Sequence, residues 1–434
     1  MTLQVVSEDY DNESLSRLRE WYRTVRRRSD EIAAPLPVED QVVQTMPDVS
    51  PTKWHLAHTS WFFEIFVAEP YLEDYEPFRE GFDYLFNSYY RGAGRFFERS
   101  DRGTIGRPTV ETIREYRQYV DEAVDRLFEQ ERPGGKWARL LQAGLHHECQ
   151  HQELMLTDIK HVLAHNPLRP AYRHDCASPS SVDTTEDAAP MEWIEVEGGV
   201  DEIGYDGSGF AFDNEQPRHQ VMLEDFAIAS RPVLCGEYID FIEDGGYDEP
   251  EWWLSEGWNR VEEQGWEGPL YWQRRNGEWW TMTLGGMRRV DRGEPVCHVS
   301  YFEADAYARW AGARLPTEAQ WEVGSRCQKI EGNFLGEDHL HPITPSRASV
   351  ADGTDFFGNV WEWTASPYTP YPGYQPWEGS LGEYNGKFMC NQYVLRGGSC
   401  VTPIEQIRRS YRNFFAPDAR WQFTGFRLAD ESGR

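Results

Sequence analysis

Basic charge is scarce in this 434-residue chain: 43 Lys and Arg stand against 73 Asp and Glu, a formal net charge of −30. A polyanion of this size repels DNA, RNA and anionic membranes, which argues against nucleic-acid and membrane partners. The acids are spread along the chain, so they read as a solvated surface. No stretch approaches 18 consecutive apolar residues, so no membrane span is expected. Met1 to Asn12 is polar and acidic, without the basic and apolar regions of a signal peptide. Cysteine is sparse: seven residues, an odd number, scattered and never as C-x-x-C. That excludes a disulfide framework and fits reduced thiols in a cytoplasmic enzyme. Internal repeats and low-complexity tracts are absent as well.

Aromatics are abundant at 14%, with 18 Trp, which predicts dense packing or ligand walls. The two halves follow different patterns. In residues 12–166, Leu15, Leu18, Tyr22 and Val25 recur at helical spacing. Ser50 followed by Pro51 reads as an N-cap and first turn, and Trp54, His58 and Phe62 then share one helix face. A third helix follows Pro108, with Ile113, Tyr116, Val120, Val124 and Leu127 in register, and a fourth runs from Lys136 to Asn166. Four helices with modest connections predict an up-down bundle. The exception is the long Gly- and Arg-rich connection from Pro77 to Arg107, of a length often kept for function. Residues 167–190 read as a linker. Residues 191–432 read as an α+β domain of short strands, such as Trp193–Val196, Gln220–Leu223 and Tyr393–Arg396. Two helices are expected there, Tyr301–Ala311 and Thr317–Arg326.

His147 and His151 lie four apart on the fourth helix and project from one face, a common bidentate metal clamp. His58, on the apolar face of the second helix, turns into the bundle and is the natural third ligand, since bundle metal sites are built by facing helices. The same letters also spell the H-E-x-x-H of zinc peptidases, with Glu148 as base. That rival needs a last ligand from a downstream segment that folds back. His161 and His165 continue the same helix and, at about 1.5 Å rise per residue, lie too far along it.

Here both halves resemble a known family. His147-Glu148-Cys149-Gln150-His151-Gln152-Glu153-Leu154, with Leu56-Ala57-His58 upstream, resembles the DinB-like four-helix bundle of ergothioneine-synthesising sulfoxide synthases, the EgtB family of hercynine oxygenases. The second half resembles the C-type-lectin-like domain of formylglycine-generating enzymes, the sulfatase-modifying factors. The resemblance stands on Arg314-Leu315-Pro316-Thr317-Glu318-Ala319-Gln320-Trp321-Glu322, Gly358-Asn359-Val360-Trp361-Glu362-Trp363, Arg396-Gly397-Gly398-Ser399 and Gly425-Phe426-Arg427. Formylglycine generators carry a cysteine pair just after the Gly-Gly-Ser. Here a single Cys400 stands offset from those places and reads as a packed thiol.

The resemblance implies Fe(2+) on His58, His147 and His151. It implies an O₂-dependent union of the sulfur of cysteine, or of γ-glutamylcysteine, with the imidazole of hercynine (Nα-trimethylhistidine), giving a sulfoxide. Within Asn87-Ser88-Tyr89-Tyr90 it points to a tyrosine proton and electron donor, Tyr89 before Tyr90, in the branch that carries this pair on the first domain. Gln150 and Asn413 would bind hercynine's carboxylate. Relatives that take γ-glutamylcysteine have an acid where Phe415 stands, so Phe415 favours free cysteine, with Arg420, Arg91 and Arg95 as candidate carboxylate partners. The alternatives are a metal-dependent thiol S-transferase, a selenium-transferring hercynine enzyme and a non-enzymatic lectin-like binding module.

Overall fold

The structure is a computed structural model, and it describes residues 11–130, 135–176, 190–207, 209–336, 339–345 and 355–431. The chain divides into two compact units. The first comprises residues 1–165 together with two short excursions of the second half, Gly207–Phe210 and Trp377–Tyr384.

Four long helices build the first unit: α1 (Asn12–Ala33), α2 (Thr52–Phe63), α3 (Val110–Phe128) and α4 (Lys136–His165). The predicted apolar stripes are buried except at Leu15, which is half-buried near the start of α1: Leu18, Tyr22 and Val25 on α1, and Ile113, Tyr116, Val120, Val124 and Leu127 on α3. Every residue of α2 is buried, so this helix is the bundle's centre rather than an amphipathic wall. Its start differs from expectation. The N-cap position is Pro51, and Ser50 is drawn off: its N–H donates to Asp158 Oδ2 at 2.8 Å while its hydroxyl accepts from Arg102. Tertiary partners thus outcompete the local cap. The true side-chain caps are Asp11 on α1 and Thr109 on α3.

The second unit holds a four-stranded sheet ordered Asn413–Phe415, Tyr393–Arg396, Trp361–Pro367, Thr424–Gly425, and a three-stranded sheet ordered Trp193–Val196, Phe226–Ala229, Ala429–Glu431. A third sheet, Trp272–Arg275, Glu278–Thr283 and Gly286–Arg289, is an antiparallel meander. The sequence motifs of this half converge on buried ion pairs. Glu362 takes Arg427 Nε at 2.6 Å and the indole N–H of Trp321 at 2.7 Å, with none of the Glu362 or Arg427 side chain exposed. Arg396 pairs with Glu318 and Glu322. These motif residues hold the fold together, and Cys400 is a buried thiol among them, as expected.

Two readings of this half need correction. Helices Cys235–Glu243 and Ser255–Gln264 were not anticipated. The first is short. The second carries Gly257 in its first turn, where a Cβ would meet Phe302 at 2.8 Å, and it ends on Gly265 at φ 62°. The proposed linker begins too early: Tyr172 donates its N–H to Leu284 O and is buried, as is Cys176, so residues 166–176 belong to the second unit. The rest of that linker, residues 177–189, lies outside the described residues.

Candidate metal centre

Within the first unit, α2 and α4 bring His58, His147 and His151 together, with one ligand nitrogen from each within 4.8 Å of the others. All three are buried. His58 Nδ1 faces the Phe86 carbonyl at 2.6 Å, so Nδ1 carries the proton and Nε2 keeps its lone pair. That Nε2 stands 3.2 Å from His147 Nε2. Burial, with the neighbouring imidazoles adding to it, holds His58 and His151 well below the ordinary histidine range. Burial lowers His147 to about 3 against a smaller opposing pull from Glu148. Three neutral imidazoles with converging lone pairs fit a divalent metal.

The walls are aromatic. His58 is sandwiched between Trp54, stacked at 4.6 Å, and Trp61, stacked at 5.4 Å. Phe62 lies 4.7 Å from His147. The guanidinium of Arg102, from the Pro77–Arg107 connection, covers Trp54 at 3.3 Å. The connection is pinned by Asn87, which accepts from Tyr90 N–H and donates to Tyr90 O. Tyr89 and Tyr90 stack at 4.7 Å.

The peptidase alternative does not survive this geometry. Glu148 is turned away from the imidazoles and accepts from Arg26 at 2.9 Å, Arg117 at 3.2 Å and Ser29 at 2.6 Å. Burial alone would raise its pKa, but the two guanidiniums outweigh it and hold the carboxyl at about 2. A carboxylate so engaged cannot act as the base of a metal-bound water. His161, the downstream histidine of that alternative, is hydrogen-bonded to Thr45.

Residues 22–155 match the DinB superfamily, and residues 179–353 and 331–432 match the sulfatase-modifying factor enzyme 1-like domain. Over 424 residues the chain is 32% identical to the hercynine oxygenase of Mycolicibacterium smegmatis, covering 89% of this chain and 92% of that protein. The chain belongs to the hercynine oxygenase family. Over 240 residues it is 40% identical to the hercynine oxygenase of Mycobacterium tuberculosis, covering 50% of this chain and 56% of that protein. The ergothioneine biosynthesis protein 1 of Schizosaccharomyces pombe is 30% identical over 242 residues, which is 53% of this chain and 28% of that protein.

Against this family background the remaining candidates sort by surroundings. Gln150 is half-buried on α4 beside His151, and Arg91 and Arg95 are exposed on the long connection. Tyr90 is fully buried against Trp61 and Phe66. In the second unit, Asn413 and Phe415 lie half-buried on one strand, and Asn413 Oδ1 accepts from Phe414 N–H. Arg420 has a different setting from the one expected. It pairs with Glu303 at 2.9 Å, donates to Gly268 O and stacks 4.2 Å over Trp266, so its charge is committed within the fold.

Sequence reasoning missed Tyr384. Its ring lies 5.9 Å from that of His147 and 6.3 Å from that of Tyr89. Its neighbour Glu383 accepts from the backbone N–H groups of Arg91 and Gly92, at 3.1 and 2.7 Å. This segment lies directly on the Gly92 backbone, where a Cβ would stand 2.5 Å from Ser380 Oγ and 3.2 Å from Glu383 Oε1. No local pattern in the sequence joins residues 377–384 to the helical unit. His55, the polar partner of His151, and Asp158, the partner of His55, were missed as well.

Proposed function

We propose that this chain is a non-haem iron(II), O₂-dependent sulfoxide synthase of ergothioneine biosynthesis, joining the sulfur of cysteine to the imidazole of hercynine. The buried cluster of three neutral histidines on a bundle of this family carries the reading. Iron(II) held there would have three remaining positions at which thiol, imidazole and O₂ chemistry can be combined. The stoichiometry balances: hercynine C–H, cysteine S–H and O₂ give the sulfoxide and one water. Forming the C–S bond removes two electrons and oxygenating sulfur removes two more, which is the full reduction of one O₂.

The protein side chains orient the reactants, exclude water and supply a proton. Trp54, Trp61 and Phe62 wall the histidines and keep solvent from them. A phenol next to the histidines is the suitable proton and electron donor. Among the described residues, the tyrosine in ring contact with a ligand histidine is Tyr384, so we assign it the role, with the tilted ring of Tyr89 6.3 Å from it. Burial pushes the Tyr89 phenol above its ordinary range, so it keeps its proton at neutral pH. Gln150 and Asn413 are assigned to hercynine's carboxylate. In Asn413 the carbonyl end is already occupied by Phe414 N–H, which presents the amide N–H end as donor. Phe415 offers no counter-charge to a γ-glutamyl ammonium, so the assigned thiol is free cysteine.

The test is anaerobic iron(II) loading followed by hercynine and cysteine, with O₂ uptake and product mass recorded. One new C–S bond and one added oxygen per O₂ consumed are expected. Thiol transfer without O₂ would replace this reading by the S-transferase one. Retention of iron and activity in His58→Ala would refute the site.

A further inference from the structure

An all-histidine centre carries no negative charge of its own, but a carboxylate lies one imidazole away. His55, on α2 three residues before His58, places Nδ1 2.8 Å from His151 Nδ1 and Nε2 3.0 Å from Asp158 Oδ2. Asp158 stands seven residues beyond His151 on α4, two turns along the same face. Both side chains are buried, at 3% and 4% exposure. Asp158 Oδ2 also accepts from Ser50 N–H, whereas Oδ1 is buried with no hydrogen-bond partner among the described residues. Arg102 is close enough to feel this charge, yet it spends its hydrogen bonds on Ser50 Oγ and Ser88 Oγ. A carboxylate buried on these terms is costly to the fold.

The proton count along the chain of contacts has one solution that leaves a ligand. Asp158 accepts, so His55 Nε2 carries a proton and His55 Nδ1 is an acceptor in the neutral ring. His151 Nδ1 must then be the donor across the 2.8 Å contact, and His151 Nε2 is left with a free lone pair. A doubly protonated His55 would need His151 Nδ1 as acceptor, moving the proton of His151 to Nε2 and abolishing the ligand. The other two ligands lack such support. His58 is oriented by a backbone carbonyl, and His147 Nδ1 has no partner among the described residues.

We propose that Asp158 and His55 are positioning residues that fix His151 as an Nε2 metal ligand and pass carboxylate charge to the centre through the imidazole of His55. The proposal rests on the metal-centre reading above. It predicts that anionic character reaches the metal through His151 rather than through a direct carboxylate ligand.

The experiment measures the iron(II) and cobalt(II) dissociation constants of the full chain by chelator competition under anaerobic conditions, beside the melting temperature of the metal-free protein. Asp158→Asn keeps an acceptor for Ser50 N–H and sheds a buried charge. Its metal-free form should melt at or above wild type while its metal affinity falls about 10- to 100-fold. His55→Asn leaves an acceptor for His151 Nδ1–H but breaks the link to Asp158, so a loss of similar size is expected. The double variant should lose little beyond either single one, because both cut the same path. Affinities within twofold of wild type in both single variants would overturn the proposal. So would fully additive losses, or losses matched by a lower metal-free melting temperature, which would mark a merely structural role. Should Asp158→Asn not fold, His55→Asn decides alone. A wild-type protein that binds no metal would overturn the metal-centre reading and this proposal together, whereas wild-type binding with unaffected variants would overturn this proposal only.

Discussion

Replacing Glu148 by Gln separates the two metal enzymes that the letters His147-Glu148-Cys149-Gln150-His151 can spell. The substitution keeps shape and removes one charge. In the structure that charge is fully buried between Arg26 and Arg117, with side-chain exposures of 3% and 2%. Breaking a buried ion pair by removing one partner costs about 3–5 kcal/mol. Arg26 keeps Asp121 at 2.7 Å and Arg117 keeps Asp30 at 2.9 Å, and these outer carboxylates are 34% and 57% exposed. The lower end, about 3 kcal/mol, is therefore expected. For a unit of this size that is a fall of about 6–12 °C in melting temperature. The sign with pH follows from the lowered carboxyl. Its stabilisation is fully present above the ordinary value of 4.5 and is lost as pH falls towards about 2, so the variant's stability should be flatter in that window. Thermal melts from pH 7 to 3, with metal content of the folded fraction, are the assay. Metal stoichiometry should survive. An unshifted melt with intact metal but abolished turnover would refute the reasoning and restore Glu148 as a catalytic base.

Three further outcomes are expected. Tyr384→Phe should lower sulfoxide formation at least tenfold, about 1.4 kcal/mol in the barrier, with metal content unchanged. Tyr89→Phe should have a smaller effect, and equal rates in wild type and Tyr384→Phe would return the donor role to Tyr89. In competition at equal concentrations, cysteine should be preferred over γ-glutamylcysteine by about tenfold or more, and Phe415→Asp should shift the ratio towards γ-glutamylcysteine. A wild-type preference for the longer thiol would end the argument from Phe415. Burial, with a smaller push from His165, holds His161 at about 3, below the ordinary 6.5, so its contribution is present above pH 6.5 and is lost as pH falls towards 3. At about 1.4 kcal/mol per tenfold change in proton activity, about 2 kcal/mol is gone by pH 5, and His161→Gln, melted across this range, should lose correspondingly less.

The sequence by itself determined what short-range repetition encodes. Apolar residues at helical spacing specify α1 and α3, and two histidines four apart on α4 fix that their side chains leave one helix face. His58 was legible as a buried histidine from its flanking Trp54 and Phe62, although the structure buries the whole of α2 rather than that one face. The family motifs of the second half were legible as letters, although the structure reveals several of them as buried ion pairs of Glu362, Arg427 and Arg396. Tertiary structure alone decided which polar groups meet. Ser50 has the chemistry of a cap, yet Asp158 and Arg102 claim it because α4 and the long connection pass close by. His55 and Asp158 are 103 positions apart, and Tyr384 is 237 positions from His147. No periodicity spans such separations. Their encounters depend on how helices cross and on which loop returns, terms fixed by burial of the whole core rather than by any window of sequence.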